Sequence, residues 1–167
     1  NHQNACAAYA ACRSLGLGPK QIEAALHSFA GLPHRSQLVG ERAGVRFVND
    51  SKATNAASTA PALAAYPRVH WIVGGLPKSD NLDECIPNFG HVVKAYTIGE
   101  AGPLFNELLS PHMPVERSEM MGTAVCSAAA QAEPGDVIML SPACASFDQF
   151  KDFEARGDAF RAIVEAL

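Results

Sequence analysis

Three short stretches of the chain carry residues suited to holding a small anion. They are Asp50-Ser51-Lys52-Ala53-Thr54-Asn55, Gly74-Gly75-Leu76-Pro77-Lys78-Ser79 and Ser141-Pro142-Ala143-Cys144-Ala145-Ser146-Phe147-Asp148. The first sets a lysine and a threonine at the start of a helical pattern, where unpaired, aligned N–H groups attract negative charge. The second joins two glycines, which let a ligand approach the backbone, to a second cation. The third is polar and again runs into a helix. Two lysines, two hydroxyls and two helix starts suit a ligand with two negative groups, a dicarboxylate being the simplest. Taken singly, each has a plainer reading: Lys52 or Lys78 is a solvated surface charge, Thr54 or Asn55 caps a helix, and Ser146 caps the last one.

The elements that must position these stretches follow from periodicity. The Ala-rich run from Asn4 to Leu15 favours helix and is stopped by Gly16 and Gly18. Pro19 starts a second helix, with Ile22, Ala25, Leu26 and Phe29 at three- and four-residue steps and an end at Gly31. Two helices bury little alone, so residues 1–31 read as the tail of a preceding domain and residues 32–167 as a second one, joined at Leu32-Pro33. Gln37 to Glu41, a turn at Ala43-Gly44 and Val45 to Asn49 read as a β-hairpin. Strands are then expected at Val69–Val73, Ala95–Ile98, Val115–Arg117 and Val137–Leu140. Helices are expected near Thr54–Tyr66, Gly102–Leu109, Thr123–Ala132 and from Gln149 to the end. That alternation, with short apolar strands, predicts an α/β fold: a mostly parallel sheet covered by helices on both faces. In such a sheet ligands gather outside the carboxyl ends of the strands, where all three stretches fall.

Composition narrows the classes of function. The 167 residues are 48% hydrophobic and 18% charged, with 13 Lys+Arg against 17 Asp+Glu for a net charge of −4. A chain of this size buries roughly 70% of its unfolded surface without a disulfide or metal staple. The scattered basic residues argue against nucleic acid as a partner, and no apolar run approaches the roughly 20 residues of a membrane span. A cytoplasmic setting is expected. The five cysteines, Cys6, Cys12, Cys85, Cys126 and Cys144, have no Cys-x-x-Cys spacing and read as buried reduced thiols. The histidines show no metal-ligand spacing, no phosphate-loop or dinucleotide fingerprint is present, and Cys144 lacks an adjacent base to make it a nucleophile. No complete catalytic set stands on this chain. It opens with Asn1-His2-Gln3-Asn4 directly into a helical pattern, as a segment of a longer protein does.

Quoted together, Gly31-Leu32-Pro33-His34-Arg35, Asn49-Asp50-Ser51-Lys52-Ala53-Thr54-Asn55, Gly74-Gly75 with Lys78, Ser141-Pro142-Ala143-Cys144-Ala145-Ser146, and Phe153 with Arg156-Gly157 resemble the Mur ligase family. The run from Asn49 to Asn55 resembles its D-glutamate-adding branch. The resemblance implies a Rossmann-like three-layer αβα domain with an N-terminal hairpin, preceded by two helices of a central ATPase domain. It implies an ATP- and Mg2+-dependent ligation of D-glutamate to UDP-N-acetylmuramoyl-L-alanine through an acyl phosphate, in peptidoglycan precursor synthesis. The phosphate loop, the magnesium ligands and the UDP-sugar site belong, on that view, to domains upstream. This chain alone is then inactive, holds no metal, and is a monomer.

Carried over by motif, Lys52, Thr54, Lys78, Ser146 and Phe153 match residues around D-glutamate, Phe153 through its backbone. Asn1, Asn4, Arg35 and Asp50 match ATP contacts, on the adenine, phosphate and ribose sides. His34 and Arg156 match supporting positions. Two other readings stand beside this one: a non-catalytic module that binds a dicarboxylate or nucleotide, and the corresponding domain of a folylpolyglutamate synthase-like ligase, against which the run from Ser51 to Asn55 argues.

Overall fold

The computed structural model describes residues 2–167, and they form two compact units, 2–32 and 33–167. The first holds helices α1 (His2–Ser14) and α2 (Pro19–Ser28), which Gly18 opens with its N–H donated to Gln21 Oε1 at 2.9 Å. The second helix stops three residues short of Gly31 because Phe29 turns extended.

The second unit is a six-stranded sheet in the order β1-β2-β6-β3-β4-β5. Its strands are β1 (Gln37–Arg42), β2 (Val45–Asn49), β3 (Val69–Gly74), β4 (Val92–Ile98), β5 (Val115–Glu119) and β6 (Val137–Leu140). β1 and β2 form the antiparallel hairpin, with Arg42 paired to Val45 across a two-residue turn. Ala43 and Gly44 both have positive φ there, the geometry that matches the twist of the flanking strands. Every other pairing, β2 with β6, β6 with β3, β3 with β4 and β4 with β5, is parallel.

Alternation along the buried strands divides the core into two layers. Trp71, Val73, Val137 and Met139 face Ala62, Leu63, Phe105 and Leu109 of α3 (Ala56–Ala64) and α4 (Gly102–Leu109), along with Cys85 of a 3-10 segment (Asp83–His91). Ile72, Tyr96, Ile138 and Leu140 face Val125, Ala128, Phe160 and Val164 of α5 (Met121–Gln131) and α6 (Phe153–Ala166). The fold is therefore α/β in three layers, as expected.

Four local expectations are corrected. α3 begins at Ala56 rather than Thr54, because Asn55 is extended and its side chain accepts from Ser58 N at 2.8 Å. α6 begins at Phe153 rather than Gln149, because Asp152 is its cap, accepting from Ala155 N at 2.7 Å. Ser146 instead closes a turn, its carbonyl accepting from Phe150 N at 2.8 Å, so it does not cap the last helix. Only Cys85 and Cys144 are buried thiols; Cys6 and Cys126 are exposed and Cys12 is half-buried. Cys126 falls off the stripe of Met121, Ala124, Val125 and Ala128 that α5 turns inward.

Candidate functional site

β2, β6 and β3 lie side by side and run parallel, ending at Asn49, Leu140 and Gly74. The three polar stretches thus open at one edge of the sheet on three adjacent strands. The chain passes from β2 to β3, runs outward through β4 and β5, and returns to insert β6 between β2 and β3, which is where an open sheet forms a crevice.

Each pair of loops is tied together. Lys78 Nζ donates to Thr54 Oγ1 at 3.4 Å, joining the loops after β3 and β2. Leu76 and Ala145 exchange both backbone hydrogen bonds, at 2.9 and 3.0 Å, joining the loops after β3 and β6. Ser141 Oγ donates to Asp50 Oδ2 at 2.8 Å, joining the loops after β6 and β2. Lys78 is exposed, Thr54 half-buried and Ser146 buried, its hydroxyl making no hydrogen bond among the described residues. A cation, two hydroxyls and the first turn of α3 therefore flank one edge, a donor set for carboxylates.

Lys52 is brought to Phe153 instead, its ammonium 3.8 Å from the centre of that ring. The Phe153 carbonyl accepts from Ser51 Oγ at 2.8 Å, so the backbone of the Phe153 turn is pinned to the loop that carries Lys52. Beside them His34 is buried in a left-handed conformation with φ 60. Asn49 fixes its ring. Asn49 Oδ1 accepts from Ser51 N at 3.1 Å and Nδ2 donates to Gly157 O at 2.9 Å and to His34 Nδ1 at 3.1 Å. The imidazole proton is then left on Nε2, 3.8 Å from the Asp158 carboxylate.

Asp50 is buried and accepts from Ser36 N at 2.9 Å on its other oxygen. Burial raises its carboxyl above the usual range, against the lowering effect of Ser141, Ser36 and the nearby Arg35 charge. Arg35 itself is exposed. Asn4 lies exposed on α1 in the first unit, and Asn1 falls outside the described residues. Burial pushes the Cys144 thiol up to about 12, so it stays protonated and is no nucleophile. Among the described residues no group of three His, Cys, Asp or Glu side chains is arranged to hold a metal ion, and no helix is long and apolar enough to cross a membrane.

Sequence reasoning found the loops and missed what locks them. The Asp50–Ser141–Thr59 chain and the Asn49 amide have no spacing signature, because their partners are 82 to 108 residues apart. Arg156 was legible only through its motif.

The model of the Mur ligase, glutamate ligase domain matches residues 34–144. The UDP-N-acetylmuramoylalanine--D-glutamate ligase of Novosphingobium aromaticivorans is 69% identical over 167 residues, all of this chain and 38% of that protein. The protein of the same name from Sphingopyxis alaskensis is 59% identical over 172 residues, covering all of this chain and 40% of that one. The chain thus spans two fifths or less of these relatives. Among solved structures, UDP-N-acetylmuramate-alanine ligase of Thermotoga maritima superposes with a TM-score of 0.68 at 14% identity, over 98% of this chain and 37% of that one. The bifunctional folylpolyglutamate synthase/dihydrofolate synthase of Yersinia pestis gives 0.62 at 20% identity, over 89% and 35%. At those identities the two structures speak for the fold alone, whereas the sequence matches carry the family: the chain belongs to the Mur ligase family through its glutamate ligase domain.

Proposed function

We propose that this chain is the amino-acid-binding C-terminal part of a cytoplasmic, monomeric, ATP-dependent ligase that adds D-glutamate to UDP-N-acetylmuramoyl-L-alanine for peptidoglycan synthesis. Residues 1–31 are then the last helices of its ATP-binding domain, and 32–167 the domain that brings the amino acid. The observation that carries the reading is the Lys78–Thr54 contact, which unites two loops at the edge where Ser146 also lies.

In this reading Lys78, Thr54 and Ser146 hold the side-chain carboxylate of D-glutamate, while Lys52 and the Phe153 backbone hold the rest of the molecule. Fixing both carboxylates leaves the amine free to point at the carbonyl carbon of an acyl phosphate made from the sugar's alanine carboxylate. The C–N bond forms, the phosphate leaves with the C–O electron pair, and the amine loses a proton. The domain supplies position rather than acid–base chemistry. Asn1, Asn4, Arg35 and Asp50 are assigned to ATP. Arg35 suits a phosphate because it is exposed and charged, and Asp50 retains lone pairs for a ribose hydroxyl beyond those that Ser36 and Ser141 occupy. The donor set here does not suit Mg2+, whose ligands are assigned to the upstream domain.

The test is ATP-dependent phosphate release by the full-length protein given UDP-N-acetylmuramoyl-L-alanine and either enantiomer of glutamate. Turnover with D-glutamate and little with L-glutamate is expected. Equal turnover with both, or turnover with L-glutamate alone, overturns the assignment.

A further inference from the structure

Asp148 lies two residues beyond Ser146, outside the residues assigned to any ligand, yet its carboxylate sits where three loops meet. Oδ2 accepts the backbone N–H of Glu100 at 3.0 Å, in the turn between β4 and α4. That turn in turn holds the loop of Lys78. Gly75 N donates to Ile98 O at 3.2 Å, and Ala101 N donates to Gly75 O at 2.8 Å.

Gly99 makes the contact possible. It has φ +64, and a Cβ there would strike the Asp148 carboxylate and come within 2.9 Å of Gly75 Cα. Leu76, the next residue, is bonded both ways to Ala145, which adjoins Ser146. The circuit runs from Asp148 to the β4–α4 turn, to Gly75-Leu76, to Ala145-Ser146, and back to Asp148 along the chain.

Charge points the same way. Arg156 is 1% exposed and its four hydrogen bonds go to neutral oxygens, of Ser51, Cys144 and Ala145. Burial lowers its pKa to about 10, and Asp148 is a carboxylate near enough to oppose that lowering. One side chain thus anchors the turn beneath Lys78 and offsets the buried cation behind Ser146.

We infer that Asp148 is a positioning residue for the carboxylate pocket formed by Lys78 and Ser146, holding the two loops at a fixed separation without touching the ligand. The inference rests on the assignment of that pocket to D-glutamate.

Steady-state kinetics of the full-length protein test it, with D148A, D148E, D148N and K78A compared under varied D-glutamate and varied ATP. D148A is expected to raise the D-glutamate KM about tenfold, the scale of one charge-assisted hydrogen bond, and to leave the ATP KM within about twofold. D148E keeps the charge but displaces the acceptor by a methylene, and is expected to behave like D148A. D148N keeps an acceptor for the Glu100 N–H but removes the charge that faces Arg156, and is expected to recover most of the loss, bringing KM to within about threefold of wild type. If D148A yields no soluble protein, D148E decides by the same criteria. A raised D-glutamate KM in K78A with an unchanged one in D148A and D148E overturns the inference alone. So does a parallel rise in the ATP KM, or failure of D148N to rescue. An unchanged KM in K78A overturns the pocket assignment and the inference with it.

Discussion

Arg156 grips Ser51 twice, its guanidinium donating to the Ser51 carbonyl at 2.8 Å and to its hydroxyl at 2.9 Å. The same group reaches Cys144 O and Ala145 O, both at 3.1 Å. One planar cation in α6 therefore locks the loop after β2 to the loop after β6, and Ser51 Oγ passes the restraint to the Phe153 carbonyl. A lysine cannot span both loops, since its ammonium is a single point on a flexible stem. R156K is expected to lower unfolding free energy by about 2–4 kcal/mol and D-glutamate turnover by about tenfold or more. Urea denaturation and phosphate release check the two effects; a loss under about 1 kcal/mol contradicts the role.

Two buried carboxylates act on acid stability with opposite sign. Burial pushes the Asp136 carboxyl up, but hydrogen bonds from Arg68, the Glu133 N–H and His70 outweigh it and leave it below the usual value. Its contribution is present above the unfolded pKa of 3.8 and is lost as pH falls through the folded value. Asp50 is raised, so the fold disfavours its charge, and stability is lost as pH rises from 3.8 through the folded value. D136N is expected to cost about 2–3 kcal/mol at pH 7 and to flatten the acid limb. D50N is expected to stay within about 1 kcal/mol of wild type, because Ser141 can accept from the new amide and turn its proton to Thr59 Oγ1, 3.2 Å away. Thermal melts from pH 3 to pH 7 separate the pair, and equal losses in both variants contradict the sign difference.

The succession of strands along the chain and the edge that carries the chemistry were legible because both depend on local pattern, whereas the insertion of β6 between β2 and β3 was not. Val137–Leu140 is apolar throughout and Val69–Val73 is apolar but for His70, and the polar runs that follow them mark the carboxyl edge. Thr54 and Lys78, 24 residues apart, were expected on one edge, and their contact at 3.4 Å is the tertiary consequence. Helix boundaries were less legible. Asp152 rather than Gln149 starts α6 because its carboxylate competes for the Ala155 N–H, a choice among several polar residues that periodicity does not rank. The buried network of His70 with Tyr96 Oη at 3.0 Å and Asp136 at 3.1 Å left no signal at all, since His70 in β3, Tyr96 in β4 and Asp136 just before β6 are polar residues with no member of the network nearby in sequence.

The thiols set the alkaline limit. Burial pushes Cys85 and Cys144 up to about 12 from 9.0, so both stay protonated in the folded chain while the unfolded chain ionises. Their stabilisation is complete below pH 9 and is lost progressively toward pH 12. At pH 10 each thiol costs about 1–1.5 kcal/mol relative to neutral pH. In C85A/C144A the stability difference between pH 8 and pH 10 is expected to shrink by about 2–3 kcal/mol, even though the variant is weaker overall. An unchanged difference by urea denaturation shows that other groups govern the alkaline limb.

Gly157 offers a test in which the sign itself discriminates. It lies inside α6, where replacing glycine by alanine ordinarily stabilises by about 1 kcal/mol through backbone entropy. Here a Cβ would run into His34 Nδ1 and stand 3.0 Å from both side-chain polar atoms of Asn49. Neither neighbour has room to retreat: the His34 ring packs edge-on against Phe153 with centroids 6.1 Å apart, and Asn49 is fully buried with its amide committed at both ends. G157A is therefore expected to destabilise by about 2–3 kcal/mol and to disturb the turn of Lys52, whose backbone N–H donates to His34 O at 3.0 Å. An increase in melting temperature shows instead that His34 can move, and that the geometry around Lys52 does not depend on it.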